Sequence, residues 1–287
     1  MCVIWGIPYL LIKVAVRDID PVLLVFCRTG IGAAILVPVA AARRELLPLL
    51  ARWRPLIAYT VVELAIPWVL LSTAEERLTS SLSGLLVAAV PLVGAVLAWS
   101  FGDRDVLGAR QSVGLVMGLA GVAALVGFHV SGASAASMAF VAIVVVGYAA
   151  GPLILAHHLS DLPVLGVVAA SLGLCSLGYA PFALAHLPSA VPAGRSLAAV
   201  AVLGVLCTAV AFVLFFHLIA EVGPLRATVI TYVNPAVAVV LGVAFLHEGF
   251  GVATAAGFVL VMAGSILATA PAPAGTRSSA AVVVPEP

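Results

Sequence analysis

Ten apolar stretches of helix length follow one another along this chain, near 2–17, 21–42, 55–74, 80–101, 108–127, 138–157, 163–186, 197–219, 224–246 and 250–270. A hydrocarbon layer of about 30 Å is crossed by roughly 20 helical residues at about 1.5 Å each. Barrel strands, about ten residues of strict alternation, do not fit runs that are apolar on every face. The expected fold is therefore all-α and integral to a membrane, with ten transmembrane helices. Composition agrees: of 287 residues, 64% are apolar and 9% charged, with a mean hydropathy of +1.26. Soluble chains are nearer half apolar and a quarter charged. That excludes a cytosolic enzyme, a nucleic-acid binder and a secreted disulfide scaffold. Thirteen basic against twelve acidic residues leave a net charge of +1, so no nucleic-acid partner is expected.

Cys2, Cys27, Cys175 and Cys207 fall in or beside apolar stretches, no two closer than 25 residues. They read as packing residues rather than a metal or redox motif, and no cofactor is expected. No basic region precedes the first apolar run, so no cleavable signal peptide is read. That run, 2–12, meets Lys13 early, which suggests a start codon assigned late or a first helix that carries a shallow lysine. The segment 271–287 is rich in Pro, Ala and Ser and reads as a disordered tail. With ten spans both termini share one side. Arg43, Arg44, Arg52, Arg54, Arg104, Arg110, Arg226 and Arg277 lie on that side, against Arg17, Arg77 and Arg195 on the other. The bias predicts both termini in the cytoplasm of a multi-pass cell-membrane protein.

Self-comparison shows a repeat. The run from Gly84 through Pro91 matches the run from Thr228 through Pro235, 144 residues on. Asp105, Gly114 and Gly121 recur as Glu248, Gly257 and Gly264, each 143 on, and Pro21 recurs as Pro163. The chain divides into five-helix units, 1–127 and 128–270, followed by the 271–287 tail. Because five is odd, the second unit enters the membrane from the opposite side. Two inverted five-helix repeats around a central cavity are a transporter architecture, with the solute site near midplane.

Trp5-Gly6, Pro21 followed by Arg28, and the Pro91 and Pro235 blocks carry a family resemblance. So does the stretch from Thr208 to Glu248, with its Gly223-Pro224-Leu225-Arg226-Ala227 turn and Gly242…Glu248 exit. Together they resemble the EamA-type members of the drug/metabolite transporter superfamily over nearly the whole chain. The resemblance implies ten helices around a central cavity and a small-metabolite substrate, commonly exported in bacterial members. It also places Arg28 at the family's common basic position. The short first helix, and Asp105 where Glu is more usual, depart from the pattern.

Ionisable groups inside spans cost at least about 2.5 kcal/mol at midplane on insertion scales, so each is a candidate for function. Glu63 reads as a protonatable carboxylate or a counter-charge for a cationic solute group, or else as a structural partner of Arg28 or Lys13. Arg28 reads as a carboxylate or phosphate binder, or as a snorkelling residue paired with an acid. Trp5, Tyr9 and Lys13 fall four apart on one helical face, which would line a cavity or pack. Trp68 adds an aromatic wall. Thr208 and His217 share helix eight, where a lone His more often packs or meets the interface. His157-His158 reads as interfacial, and Glu75-Glu76-Arg77 as a solvated turn. Asp105 and Glu248 read as caps for the starts of helices five and ten.

Gly114-x-x-x-Gly118 and Gly147-x-x-x-Gly151 permit close helix approach and leave a homodimer open. Pro67, Pro91, Pro152, Pro181 and Pro235 can kink their helices, and Pro91 with Pro235 forms the candidate hinge pair. Asn234-Pro235-Ala236 spells a water-channel tripeptide, but the equivalent place reads Val90-Pro91-Leu92, so the match is read as coincidental. No GxxxxGK[ST], HExxH or GxSxG occurs, and no enzyme activity is expected. The favoured function is a secondary transporter that exports a small organic solute by alternating access, with protons as a candidate coupling ion. An amino acid or a drug-like molecule would fit. A passive channel or non-transporting scaffold, and an intramembrane enzyme, are the alternatives.

Overall fold

In hydrocarbon the backbone must satisfy its own donors and acceptors, and apolar runs of this length do so as helices. The computed structural model describes residues 1–101, 108–129, 132–222 and 230–270, and among these no strand is assigned. The helices are α1 (Cys2–Ala15), α2 (Pro21–Ala42), α3 (53–75), α4 (80–100), α5 (Ala109–His129), α6 (Gly132–His158), α7 (Val164–Ala185), α8 (194–222), α9 (Ile230–Leu246) and α10 (Val252–Ala268). A 3₁₀ segment, Leu47–Arg52, leads into α3. Among the described residues, seven helices are long and apolar enough to cross a membrane. Shorter apolar helices lie at Val3–Ala15, Val233–Leu246 and Thr254–Ala268.

Local chemistry explains several boundaries. Asp20 caps α2 through the Val22 amide, 2.8 Å away, with Pro21 in the first turn. Thr79 caps α4 through the Leu82 amide at 3.2 Å. Within α4 the helix breaks at Ala88–Ala89, just before Pro91. There the buried Ser265 hydroxyl of α10 donates to the Ala88 carbonyl at 3.1 Å, supplying a donor at a proline-associated break. Pro152, Pro181 and Pro235 sit inside helices that continue through them.

Two helices each contain a π-turn, Thr60–Ala65 in α3 and Val205–Val210 in α8. They are 145 residues apart, close to the repeat offset. In the first, Tyr179 from α7 donates to the Ala65 carbonyl at 3.0 Å. In the second, Thr208 donates to the Leu203 carbonyl at 2.8 Å. Both bonds place a side-chain hydroxyl on a main-chain carbonyl in or beside a π-turn.

Packing follows small residues. α5 lies along α10 with glycine against glycine: a Cβ on Gly264 would strike the Gly118 backbone, and one on Gly121 would come within 2.7 Å of the Val261 nitrogen. Gly147 and Gly151 of α6 likewise admit α3, with the Val62 carbonyl and Glu63 in the space of their missing side chains. Both glycine patterns are therefore used within the chain. α2 packs on α7 and α4 on α9; α1 touches α8 and α9, while α6 touches α3 and α4. Two buried clusters result. One centres on Ile12, Leu24, Leu85, Leu92, Val144 and Leu203, the other on Leu36, Leu64, Trp68, Leu159 and Leu172. Outward faces stay apolar at Val116, Leu177 and Phe245, as hydrocarbon permits and water does not.

Candidate functional site

Arg28 lies on the face of α2 that meets α8 and α3. Its guanidinium stands 3.7 Å above the Trp68 ring, and its Nε donates to the Thr208 hydroxyl at 3.0 Å. Thr208 has already given its proton to Leu203, so its oxygen is free to accept. Gly32, one turn beyond Arg28, makes this possible, since a Cβ there would sit 2.9 Å from the Thr208 methyl. Tyr148 of α6 and Tyr9 of α1 complete the surroundings of Arg28. The residue is 8% exposed, yet among the described residues the ion pair formed is Arg52–Asp161, at 3.3 Å on the surface. Arg28 thus holds a buried positive charge on an aromatic face and a hydroxyl, without a carboxylate. Burying an unpaired charge is expensive, and an aromatic face recovers about 2 kcal/mol when desolvated.

Glu63 sits in the π-turn of α3, at the place Thr208 occupies in α8. It rests against Gly151, whose missing side chain makes room for the carboxyl. Its Oε2 is buried without a hydrogen-bond partner. Of the two readings of Glu63, the structural pairing with Arg28 or Lys13 is not formed among the described residues. Lys13 instead caps the end of α3: its Nζ donates to the Glu75 carbonyl at 2.6 Å and reaches the Glu76 carbonyl at 3.4 Å, a favourable place for a cation.

The turn after α3 corrects the sequence reading. Glu76 and Arg77 are exposed, as a solvated turn requires, but Glu75 is 0% exposed and neither carboxyl oxygen has a partner. The helical spacing held the signal, because Trp68, Leu71 and Glu75 fall on one face at i, i+3 and i+7. All three are buried.

Glu248 is a cap, but for a different helix. Its Oε1 accepts from the Ser80 amide at 2.7 Å and hydroxyl at 3.0 Å. Its Oε2 accepts from the Ser81 amide at 2.9 Å and hydroxyl at 2.5 Å. The carboxylate therefore closes the N-terminus of α4, not that of α10. His247 turns the chain with φ at +55°, the Glu248 amide donates back to the Gly242 carbonyl at 3.2 Å, and Gly242 leaves space for the carboxylate. Asp105, its counterpart in sequence, lies outside the described residues, as do the Gly223–Ala227 turn and the 271–287 tail.

The remaining candidates separate. Tyr9 is buried against Gly84 of α4. Trp5 packs on Phe212 and Phe215 of α8, with ring centroids 5.8 and 4.7 Å away. His217 is exposed, its Nδ1 2.8 Å from the Val213 carbonyl of its own helix. Pro91 follows the α4 break and Pro235 lies within continuous α9. A cavity of about 410 Å³ opens between α3 and α7, lined by Thr60, Val61, Ala65, Cys175, Gly178 and Tyr179 among others. It does not include Arg28. Among the described residues no group of three His, Cys, Asp or Glu side chains could hold a metal ion.

Comparison with known proteins agrees with this architecture. The EamA-like transporter family matches residues 1–127 and again 135–270. The uncharacterized inner membrane transporter YedA of Escherichia coli K12 is 28% identical over 84% of this chain and 78% of its own length. The uncharacterized transporter YvbV of Bacillus subtilis 168 is 23% identical over 91% of this chain and 87% of its own. A solved crystal structure, 22% identical, superposes with a TM-score of 0.68 over 93% of this chain and 94% of that one, which establishes a common fold. A membrane bundle matched twice by one family, end to end, belongs to it: this chain is a member of the EamA-like transporter family.

Proposed function

We propose that the chain is a secondary transporter that moves a small organic solute out across the cell membrane by alternating access. The observation that carries this reading is Arg28: buried, stacked on Trp68, bonded to Thr208, and without a carboxylate. A planar cation so held can take a solute carboxylate bidentately. Glu63, on the same helix as Trp68, supplies an anionic pole, so the favoured solute is a zwitterion such as an amino acid. Ten spans in two inverted units, 1–127 and 128–270, form the frame. Two findings support that frame: the family matches twice, and exchanging the halves turns the α1 contacts with α8 and α9 into the α6 contacts with α3 and α4. The arginine bias supports cytoplasmic termini, and the name of YedA supports an inner-membrane location. Alternating access would rock one unit against the other around Arg28, with an ion gradient, protons in this reading, driving efflux.

The test is counterflow of radiolabelled amino acids in proteoliposomes. Saturable exchange that is lost in Arg28→Ala is expected. Equal flux in wild type and Arg28→Ala, or non-saturable flux in both, refutes the reading. Untargeted comparison of medium from knockout and overexpressing cells identifies the solute independently.

A further inference from the structure

Resting on the transporter reading above, we propose that Glu75 is the carboxyl that binds the coupling proton. Glu75 ends α3 with 0% exposure, and among the described residues neither carboxyl oxygen has a hydrogen-bond partner. A buried acid with no donor on either oxygen is most simply accommodated as the neutral acid, one proton bound to one oxygen. A metal cation would need several oxygen ligands, and the one acid nearby, Glu248, already accepts four hydrogen bonds from Ser80 and Ser81.

Charged and titratable groups face Glu75 from each element around it. Tyr9 and Lys13 come from α1, Arg28 from α2, Tyr148 from α6, and Glu248 from the exit of α9. Lys13 makes the site reversible. Its Nζ is bound to the main-chain carbonyl of Glu75 itself. On loss of the proton, the same ammonium, already held at the main chain of Glu75, is the cation that would pair with the new carboxylate. The two states therefore differ in one proton and one ammonium contact: a neutral acid with Lys13 on the helix end, or a carboxylate with Lys13 as its ion pair. The second state removes the cation from the α3 terminus and sets a second negative charge beside Glu248, which joins α9 to α4. Proton occupancy would thus bias the closure of that end of the bundle. Glu63 lacks this arrangement: among the described residues no basic side chain faces it as Lys13, held on the main chain of Glu75, faces Glu75.

Infrared difference spectroscopy of reconstituted protein, stepped from mildly acidic to alkaline buffer, reads the proton without any solute. Wild type and Glu63→Gln should lose a protonated-carboxyl band that is missing from Glu75→Gln. In proteoliposomes given labelled amino acids, the ratio of flux with and without a pH gradient should fall to one in Glu75→Gln. It should stay above one in Glu76→Gln, whose side chain is exposed and lies outside the solute site. A Glu75→Gln protein that keeps both the band and the gradient response overturns the proposal. If Glu75→Gln does not insert, Glu75→Asp decides the matter: a shifted band supports the assignment and an unchanged band refutes it. If wild type moves no amino acid at all, the solute reading fails while the infrared result still judges Glu75.

Discussion

Replacing Glu248 by Ala removes one side chain and strands four donors. The Ser80 and Ser81 amides are the first two of α4, which have no intrahelical acceptor. Thr79 serves only the Leu82 amide. Each partly buried donor left unsatisfied costs about 1–3 kcal/mol. The two hydroxyls can rotate elsewhere, so the two amides set the scale at about 2–5 kcal/mol, allowing for some rehydration at the bundle end. Loss of the anion at the helix N-terminus adds about 0.3–1 kcal/mol. Gln at the same position offers only one acceptor oxygen and turns an amide group toward a donor, so Glu248→Gln should recover less than half of the loss. Ser80→Ala and Ser81→Ala leave the amide bonds intact and should cost about 0.5–1.5 kcal/mol each. Denaturation of purified protein in mixed micelles gives the ranking Glu248→Ala, then Glu248→Gln, then the serine variants. A Glu248→Ala midpoint equal to wild type, or a Ser80→Ala effect as large as that of Glu248→Ala, refutes the argument.

Three further outcomes follow from the geometry. Gly264→Ala drives a methyl into the Gly118 backbone and should cost about 1–3 kcal/mol or more. Gly94→Ala, where nothing lies within 4 Å, should be neutral or gain about 0.5–1 kcal/mol; the same denaturation assay compares the two. Tyr179→Phe leaves the Ala65 carbonyl without its hydroxyl donor and should cost about 0.5–1.5 kcal/mol. A wild-type midpoint would show that the π-turn does not use that bond. Arg28→Lys keeps the charge but loses the planar stack and the Nε donor. Counterflow affinity should fall about tenfold or more, since a desolvated cation–π contact is worth about 2 kcal/mol, with a smaller loss in Thr208→Val.

How far the sequence could be read depended on whether a feature was local or made between distant segments. Apolar run length marks helices directly, and the pairs Pro91/Pro235 and Gly121/Gly264 reveal the repeat because their offsets, 144 and 143, differ by only one residue. The buried charge at Arg28 was visible as a basic residue inside a span, although its companions Thr208, 180 residues on, and Trp68 were known only as separate candidates. In sequence, two charged neighbours make Glu75 resemble a turn, while the helical face continuing from Trp68 and Leu71 buries it. Glu248 reads in sequence as a cap for the next helix in the chain. Its true partner comes from the other half, where fold-back at His247 and Gly242 aims it. The π-turns left no mark in composition, because each is one surplus residue among apolar neighbours.

That surplus residue sets the phase of everything beyond it. Deleting one residue between Thr60 and Ala65 would restore a regular α-helix and keep α3 apolar throughout, so by hydropathy the segment would still span. Yet each residue is worth about 100° of rotation. Trp68 and Glu75 would swing about a quarter turn around the helix axis, taking the aromatic face from under Arg28 and the carboxyl from beside Lys13. The same surplus at Val205–Val210 aims Thr208 at Arg28 from the other half. The two insertions act as matched offsets, and correcting either one alone would put the halves of the site out of phase while leaving the membrane topology untouched.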